Sequence, residues 1–237
     1  MRQETRGPGA SAGPERRPLL CLVTDERHPA CEEVARQALE AGIDWLQVRG
    51  PGLPAARLYE LASRLGPLAR RRGARLIVND RLDVALAVDA DGVQLGRRSL
   101  PLATARALLR RCGRALWLGA SVHSLAEAGQ AVAAGADYLL AGTIFPSSSH
   151  PGEAVAGIEL IRRLRACWPR VPLLAIGGVS AANAAQVIEA GADGVAVISA
   201  IYGAADVVQA VHSLRQALAA APWPPASAPA RPQETAG

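Results

Sequence analysis

The sequence predicts an α/β protein of the (β/α)8 TIM-barrel class, and three observations support this prediction. Eight short apolar runs alternate with helical patterns of about ten residues, as in parallel strands joined by crossover helices. An Ala-Gly-x-Asp tetrapeptide recurs at residues 41–44, 134–137 and 190–193, each time between a helix and the next strand, which indicates iterated units. The alternating section, residues 18–220, is close to the lower length limit of a closed barrel. An open doubly wound sheet is the second choice, but no Gly-x-Gly-x-x-Gly motif follows any predicted strand.

The predicted strands are short and almost continuously apolar, because both faces of a parallel strand are buried in such a fold. They span residues 19–24, 45–49, 76–79, 92–95, 116–120, 138–142, 173–176 and 194–198. Helices are predicted over residues 31–41, 55–72, 82–88, 102–111, 125–134, 158–167, 184–190 and 207–220. In each Ala-Gly-x-Asp unit, the glycine ends a helix in the left-handed conformation and the apolar residue after it packs back onto the core.

Both ends of the chain differ in composition from this single predicted domain, residues 18–220. Residues 1–17 consist largely of Gly, Pro, Arg and Glu, and residues 221–237 are rich in Pro and Ala, so both are predicted to be disordered tails. Half of all residues are apolar but only 3% are aromatic, so we expect a core of Leu, Val, Ile and Ala.

The basic excess of the chain does not indicate a nucleic-acid partner. The formal net charge is +5, every basic residue other than histidine is arginine, and runs such as Arg70–Arg72 are typical of a solvated helix face. Nucleic-acid binding needs a basic groove interleaved with aromatic side chains, which are too few here. The absence of lysine from the sequence excludes Schiff-base chemistry.

No sequence feature indicates a membrane partner or secretion. No apolar run reaches the ~18 residues of a membrane span, and the N-terminus lacks the apolar core of a signal peptide, so we expect a cytoplasmic protein. The cysteines Cys21, Cys31, Cys112 and Cys167 show no Cys-x-x-Cys spacing. We therefore predict that they are small buried hydrophobic residues in a reducing compartment.

Candidate ligand-binding residues follow from the fold, because the chemistry of these barrels lies just past the C-terminal ends of the strands. His123 after the fifth strand is the candidate catalytic residue, since imidazole takes and gives a proton near neutral pH. The candidate substrate-binding residues are Gln47, Arg49, Asn79, Ser121, Thr143, Ser147, Ser149, Gly177, Gly178, Ile198 and Ser199.

The most specific of these features is a predicted phosphate site after the last two strands. Gly177-Gly178 and Ile198-Ser199 each stand at or near a helix start, where backbone N–H groups point at an anion and glycine allows close approach. Two ordinary strand-to-helix turns are the alternative interpretation.

Other candidates have structural alternatives, which are stronger for Asn79, Asp80 and Arg49 than for His123. His123 can be a residue of the turn before a helix, satisfied by that turn. Asn79 and Asp80 can cap the helix that begins near Leu82. Arg49 can pair with a structural carboxylate such as Asp25 rather than with a ligand.

Six motifs resemble the thiamine phosphate synthase/TenI family over residues 19–215. They are Leu22–Asp25, Leu46–Arg49, Val78–Arg81, Asp91–Gly96, Ala175–Gly178 and Gly191–Ser199. The resemblance implies one of two activities: Mg²⁺-dependent coupling of a pyrimidine diphosphate to thiazole phosphate, or metal-independent aromatisation of a carboxylated thiazole phosphate. Both activities imply a small-molecule thiazole phosphate as ligand, and both fit the predicted phosphate site. Barrels of this size often form homo-oligomers, which is an expectation about folds rather than about these residues.

Departures from the synthase pattern favour the tautomerase branch. The resemblance implies Glu-Lys after the second-strand arginine, an acidic Mg²⁺ ligand past the fourth strand and a lysine in the sixth-strand loop. This chain has Gly50-Pro51, Gly96–Ser99 and Pro146–His150 in those places. Of the metal-binding carboxylates only Asp80 remains, and it binds a metal only under the synthase interpretation.

The resulting expectation is a thiazole tautomerase with no cofactor. His123, in a Ser-Val-His-Ser sequence that resembles the tautomerase pattern, is then the proton shuttle. Arg49 and the Ser147–Ser149 loop are the weaker candidates for binding the substrate carboxylate. The alternatives are a divergent synthase that uses Mg²⁺ and a non-catalytic protein that binds thiazole or thiamine phosphate.

Overall fold

A computed structural model describes residues 18–147 and 155–222, which form one closed barrel of eight parallel strands in sequential order. The predicted (β/α)8 class is therefore confirmed. The strands are β1 (Leu19–Val23), β2 (Trp45–Val48), β3 (Arg75–Asn79), β4 (Gly92–Leu95), β5 (Trp117–Val122), β6 (Tyr138–Ala141), β7 (Leu173–Ile176) and β8 (Gly194–Val197). The predicted tails, residues 1–17 and nearly all of 221–237, lie outside the described residues.

The helices surround the barrel and agree with the predicted ones to within about two residues at each end. They are α1 (Cys31–Glu40), α2 (Ala55–Arg71), α3 (Leu82–Ala87), α4 (Leu102–Arg111), α5 (Leu125–Ala133), α6 (Gly157–Cys167), α7 (Ala184–Glu189), α8 (Ser199–Tyr202) and α9 (Val207–Ala220). The sequence did not predict α8, because four residues are too few to show helical periodicity. None of the described helices is both long and apolar enough to cross a membrane.

The barrel interior is aromatic near the N-terminal ends of the strands and polar near their C-terminal ends. Near the N-terminal ends of the strands, the Trp45 ring meets the rings of Trp117 and Tyr138 edge-on, with centroids 6.3 and 5.0 Å away, respectively. The Arg75 guanidinium lies 4.8 Å from the centre of the Trp117 ring. Above this layer the interior carries the amides of Gln47 and Gln94, so the barrel is a packed core that becomes polar towards its mouth.

At the N-terminal face of the barrel, an aspartate before each even-numbered strand bonds to the strand that precedes it in the sequence. Its carboxylate accepts a hydrogen bond from the backbone N–H of a leucine on the preceding strand, and its own N–H donates to the same leucine's carbonyl oxygen. The four pairs are Asp44 with Leu20, Asp91 with Leu76, Asp137 with Leu118 and Asp193 with Leu173, with carboxylate bonds of 2.7 to 2.8 Å. The repeat predicted from sequence therefore has a structural role, which is to join neighbouring strands at their starts.

Only three of these four aspartates belong to the Ala-Gly-x-Asp units found in the sequence. In the fourth unit Asp89 occupies the place of the glycine and adopts its left-handed conformation, with φ of +54°. The substitution of aspartate for glycine hid this unit from the sequence pattern. The fold therefore consists of four strand pairs of the same design.

The cysteines are all free, but only Cys21 is fully buried. Cys112 and Cys167 are exposed, so the prediction of four buried cysteines is wrong for them. Cys112 directly follows the end of α4 and Cys167 is the last residue of α6, and both helix ends face solvent.

Candidate active site at the C-terminal mouth

The turns after β7 and β8 form one pocket together with the loop after β6. Ser147, Gly177, Gly178, Ile198 and Ser199 line it, together with apolar residues of the two strands. All five were candidates from sequence, so the structure brings the predicted phosphate site together. Within residues 18–147 and 155–222, the backbone N–H groups of Gly178 and Ser199 donate to no acceptor, which is compatible with anion binding at this place.

The glycines of this pocket also have a packing role. A Cβ on Gly177 would lie 2.5 Å from Thr143 Cγ2, and one on Gly178 would lie 2.8 Å from Phe145 Cβ and closer still to the Pro146 carbonyl oxygen. Phe145 N–H donates to the Gly177 carbonyl at 3.0 Å, so the loop after β6 lies directly against the turn after β7. Anion binding is therefore not the only reason for glycine at these positions.

A hydrogen-bonded polar network crosses the mouth between β2 and β4. Gln47 Nε2 donates to Asn79 Oδ1 at 2.8 Å, and Asn79 Nδ2 donates to Asp80 Oδ2 at 2.6 Å. The Ser99 hydroxyl donates to Asp80 Oδ1 and accepts from the Gly96 N–H at 2.7 Å. Both carboxylate oxygens of Asp80 are therefore engaged, and the network holds the loop after β4 against the end of β3.

The predicted alternative that Asn79 and Asp80 cap the next helix is wrong. Arg81 occupies the N-cap position of α3, and no side chain makes a capping hydrogen bond there. Asp80 instead adopts the left-handed conformation, with φ of +62°, which turns its carboxylate towards the network.

Sequence reasoning did not select Gln94 and Ser99 as site residues. Gln94 is 1% exposed, and its Nε2 donates to Ser121 Oγ at 3.0 Å, which links β4 to β5 beneath the mouth. A polar residue inside an otherwise apolar strand, as at Gln47, was the signal that identifies Gln94. Ser99 lies in a loop, where a serine carries no comparable signal.

His123 stands one residue past β5 and is exposed to solvent. The Ser124 side chain accepts from the Glu127 N–H at the start of α5, and Glu127 Oε2 accepts from the His123 N–H at 2.6 Å. This reciprocal arrangement resembles a capping box and satisfies the His123 backbone, as the structural alternative predicts. The arrangement also fixes the backbone that carries the imidazole at the same barrel edge as the pocket after β7 and β8.

Arg49 is not the hydrogen-bonded partner of Asp25. Asp25 pairs with Arg27 at 3.0 Å, and this hydrogen bond is the main cause of the lowered pKa of the Asp25 carboxyl group, to which the positive charge of Arg49 also contributes. The Arg49 backbone is fixed by Thr24, whose hydroxyl donates to the Arg49 carbonyl at 2.8 Å and accepts from its N–H at 2.7 Å. The half-buried Arg49 side chain thus lies at the mouth as a candidate anion-binding group.

Two further candidates differ in how far the structure describes them. Thr143 is 6% exposed, directly after β6 and against the Gly177 turn. Ser149 lies outside the described residues.

The described residues offer only one carboxylate, Asp80, where the resemblance to the synthases implies two Mg²⁺ ligands. Mg²⁺ prefers octahedral oxygen coordination from carboxylates and substrate phosphates. Within residues 18–147 and 155–222, no three His, Cys, Asp or Glu side chains come together as a candidate metal site. Asp80 is bonded through both oxygens, and its neighbour across the loop is a serine hydroxyl rather than a second carboxylate.

Comparison with known proteins gives the family. The sequence profile of the thiamine monophosphate synthase family, TMP-TENI, matches residues 20–201. The thiamine-phosphate synthase of Pyrococcus furiosus is 43% identical over 197 residues, covering 83% of this chain and 93% of the relative. That of Moorella thermoacetica is 48% identical over 186 residues, covering 78% and 86%. These names agree with the synthase alternative rather than with the expected tautomerase.

Solved structures support the same assignment. A thiamine phosphate pyrophosphorylase from Pyrococcus furiosus superimposes with a TM-score of 0.78 at 41% identity, covering 86% of this chain and 96% of that one. A 3-hexulose-6-phosphate synthase, at 22% identity and a TM-score of 0.65, shares the fold. The chain belongs to the thiamine monophosphate synthase (TMP-TENI) family, whose enzymes act in thiamine biosynthesis.

Proposed function

We propose that this protein is a thiazole tautomerase, which aromatises a carboxylated thiazole phosphate without a metal ion. The observation that carries the proposal is the state of Asp80, the carboxylate at the metal position of the family pattern. Both of its oxygens are bound by Asn79 and Ser99, while an exposed imidazole stands at the same barrel edge on β5. This combination favours proton transfer over the handling of a metal diphosphate.

In the proposed reaction the phosphate of the substrate binds in the pocket after β7 and β8. The N–H groups of Gly178 and Ser199 donate to its oxygens, with Ile198 and Ser147 as walls of the pocket. This anchors the ring towards the centre of the mouth. Arg49 and Ser147, with Ser149 from the loop after β6, are the proposed partners of the ring carboxylate.

His123 then moves one proton. The imidazole takes the proton from ring carbon C2, and the imidazolium returns a proton to the exocyclic carbon, so the substrate is isomerised with no net loss of atoms or charge. The electron pair of the C2–H bond enters the ring as the exocyclic double bond is protonated. Aromatisation supplies the driving force, and the enzyme needs only to lower the barrier to proton transfer.

A thiamine phosphate synthase is the second candidate, and the names of the relatives favour it. Relatives that are 41–48% identical carry that name, and the same phosphate pocket suits the thiazole phosphate of that reaction. Against it stand the missing lysines and the engaged carboxylate of Asp80.

Two parallel assays separate the candidates. The purified protein is given the carboxylated thiazole tautomer in EDTA and, separately, the pyrimidine diphosphate with thiazole phosphate and Mg²⁺. We expect aromatic product in the first mixture and no pyrophosphate in the second. Pyrophosphate release in the second mixture alone would identify a synthase, and binding of thiazole phosphate without turnover in either would identify a binding protein.

A further inference from the structure

Two buried polar atoms beneath the mouth lack hydrogen-bond partners. Gln94 is 1% exposed and Tyr138 is 2% exposed. Neither the Gln94 Oε1 oxygen nor the Tyr138 hydroxyl has a partner among the described residues. Buried polar groups in proteins are almost always hydrogen-bonded, because an unpaired one bears the full free energy of its desolvation. A hydrogen bond that both groups could form would remove this cost.

Both atoms converge on Gly119, in the middle of β5. The strand register places Gly119 beside Gln94 on β4 and beside Tyr138 on β6. A Cβ on Gly119 would overlap the Tyr138 hydroxyl as well as Gln94 Oε1, so both occupy space that a side chain would otherwise fill. Because both atoms lie close to the same point, a side-chain rotation that joined them in one hydrogen bond would satisfy both groups.

The direction of that bond follows from the donors and acceptors present. Gln94 Nε2 donates to Ser121 Oγ at 3.0 Å, which leaves Oε1 to accept from the Tyr138 hydroxyl. The opposite orientation of the amide would leave the Tyr138 proton without an acceptor. Burial raises the pKa of Tyr138 well above that of a free tyrosine, so the hydroxyl keeps its proton at neutral pH.

We propose that Tyr138 and Gln94 are positioning residues that orient the Ser121 hydroxyl so that it donates a hydrogen bond to the ligand. Tyr138 donates to Gln94, Gln94 donates to Ser121, and Ser121 donates its proton to an acceptor on the ligand. Ser121 is only partly buried and stands two residues before His123, at the mouth. The proposal rests on the proposed function only in taking a thiazole phosphate as ligand, since its ring nitrogen and carboxylate are acceptors of this kind.

A double-mutant cycle without ligand tests the bond itself. Tyr138→Phe removes the hydroxyl but keeps the ring packed against Trp45, and Gln94→Met removes the amide at similar volume. Each is expected to lower the melting temperature by about 2–4 °C. The double variant is expected to be no less stable than the worse single variant, because the two share one bond. Additive losses, or a Tyr138→Phe variant as stable as the parent, would overturn the proposed chain of hydrogen bonds from Tyr138 through Gln94 to Ser121.

Calorimetric titration with the aromatic carboxythiazole phosphate, the proposed product, tests whether Tyr138 and Gln94 help Ser121 to bind the ligand. Tyr138→Phe and Ser121→Ala are each expected to weaken binding about 5- to 10-fold. In the Ser121→Ala background, Tyr138→Phe is expected to have no further effect, whereas a second full loss would contradict positioning through Ser121. Inorganic phosphate, which needs only the pocket after β7 and β8, should bind all variants equally. If the parent binds no thiazole phosphate, the proposed function fails. The melting-temperature cycle alone then decides whether Tyr138 and Gln94 form the proposed hydrogen bond.

Discussion

Gly178 at the mouth of the barrel is constrained both by its backbone conformation and by the loop that packs against it. Its φ of +63° is unfavourable for any residue with a Cβ, and an added Cβ would collide with the carbonyl oxygen of Pro146. The phosphate pocket therefore depends on the absence of one carbon atom.

We predict that Gly178→Ala displaces the loop after β6 and lowers the affinity for inorganic phosphate by at least tenfold. The same change should destabilise the protein by about 1–3 kcal/mol, because strain and overlap add. Phosphate titration and urea unfolding measure the two effects. Gly73→Ala is the matched control, since Gly73 has φ of +71° but nothing within 4 Å of an added Cβ. A Gly178→Ala variant that binds phosphate like this control would contradict the assignment of the pocket.

The thiols of the chain are predicted to differ in reactivity. Burial raises the pKa of Cys21 to about 12, so its thiolate is negligible at pH 8. Cys112 and Cys167 are exposed. A disulfide reagent at pH 8 should modify these two first and Cys21 only after unfolding, as followed by mass spectrometry of peptides. Rapid labelling of Cys21 in the native protein would contradict the packing of β1.

At the scale of elements, the aspartate before each even-numbered strand joins two strands, and in three units an arginine supports it. Arg215 pairs with Asp44 at 2.6 Å, Arg106 with Asp137 at 2.6 Å and Arg165 with Asp193 at 2.5 Å. These carboxylates are partly buried and also accept backbone hydrogen bonds, so they contribute more than surface ion pairs do.

We predict that Asp193→Ala lowers the free energy of unfolding by about 2–3 kcal/mol, because the Leu173 N–H and the Nη2 group of Arg165 both lose their acceptor. Asp83→Ala removes an exposed ion pair with Arg81 and should cost less than about 1 kcal/mol. Urea unfolding of both variants tests this. Equal losses would mean that the aspartates before the strands have no special role.

The left-handed position in each unit gives a further pair of variants. Gly135 has φ of +86° with open space around it, and Asp89 has φ of +54° in the equivalent place. Gly135→Ala should destabilise by about 1 kcal/mol. Asp89→Gly should change stability by less than about 0.5 kcal/mol, because relief of the left-handed strain offsets loss of the exposed ion pair with Arg114. Thermal unfolding measures both. A stabilising Gly135→Ala, or an Asp89→Gly variant that loses as much stability as Gly135→Ala, would show that the two units do not share one design.

The sequence predicted these elements well because each follows from a local rule. Apolar runs predicted the strands, and glycine residues predicted where several helices end. It missed the unit at Asp89 because aspartate tolerates the left-handed conformation, and it missed α8 because a single helical turn has no period. The polar network also escaped prediction in part, since the bond between Asp80 and Ser99 depends on where two loops meet in space.

At the scale of the whole molecule, closing the barrel brings together residues that are far apart in the sequence. The pocket at Gly177, Gly178 and Ser199 was predictable because it follows from the strand order of a known fold class. The role of His123 was not predictable to the same degree and stays a proposal, because one exposed imidazole fits both a turn and a catalytic site. The family assignment places the protein in thiamine biosynthesis, where the names of its relatives point to synthase activity. Proton transfer by His123 is our proposal within that family.

The most direct test is the single-turnover rate of thiazole isomerisation in EDTA, measured for the parent protein and for His123→Ala. We predict that the parent converts the tautomer without added metal and that His123→Ala lowers the rate by 10²- to 10⁴-fold, the usual contribution of a general acid–base group. Affinity for the aromatic product should change by less than about threefold, because the phosphate pocket is intact. A folded His123→Ala variant that isomerises the substrate at the parental rate would contradict the account.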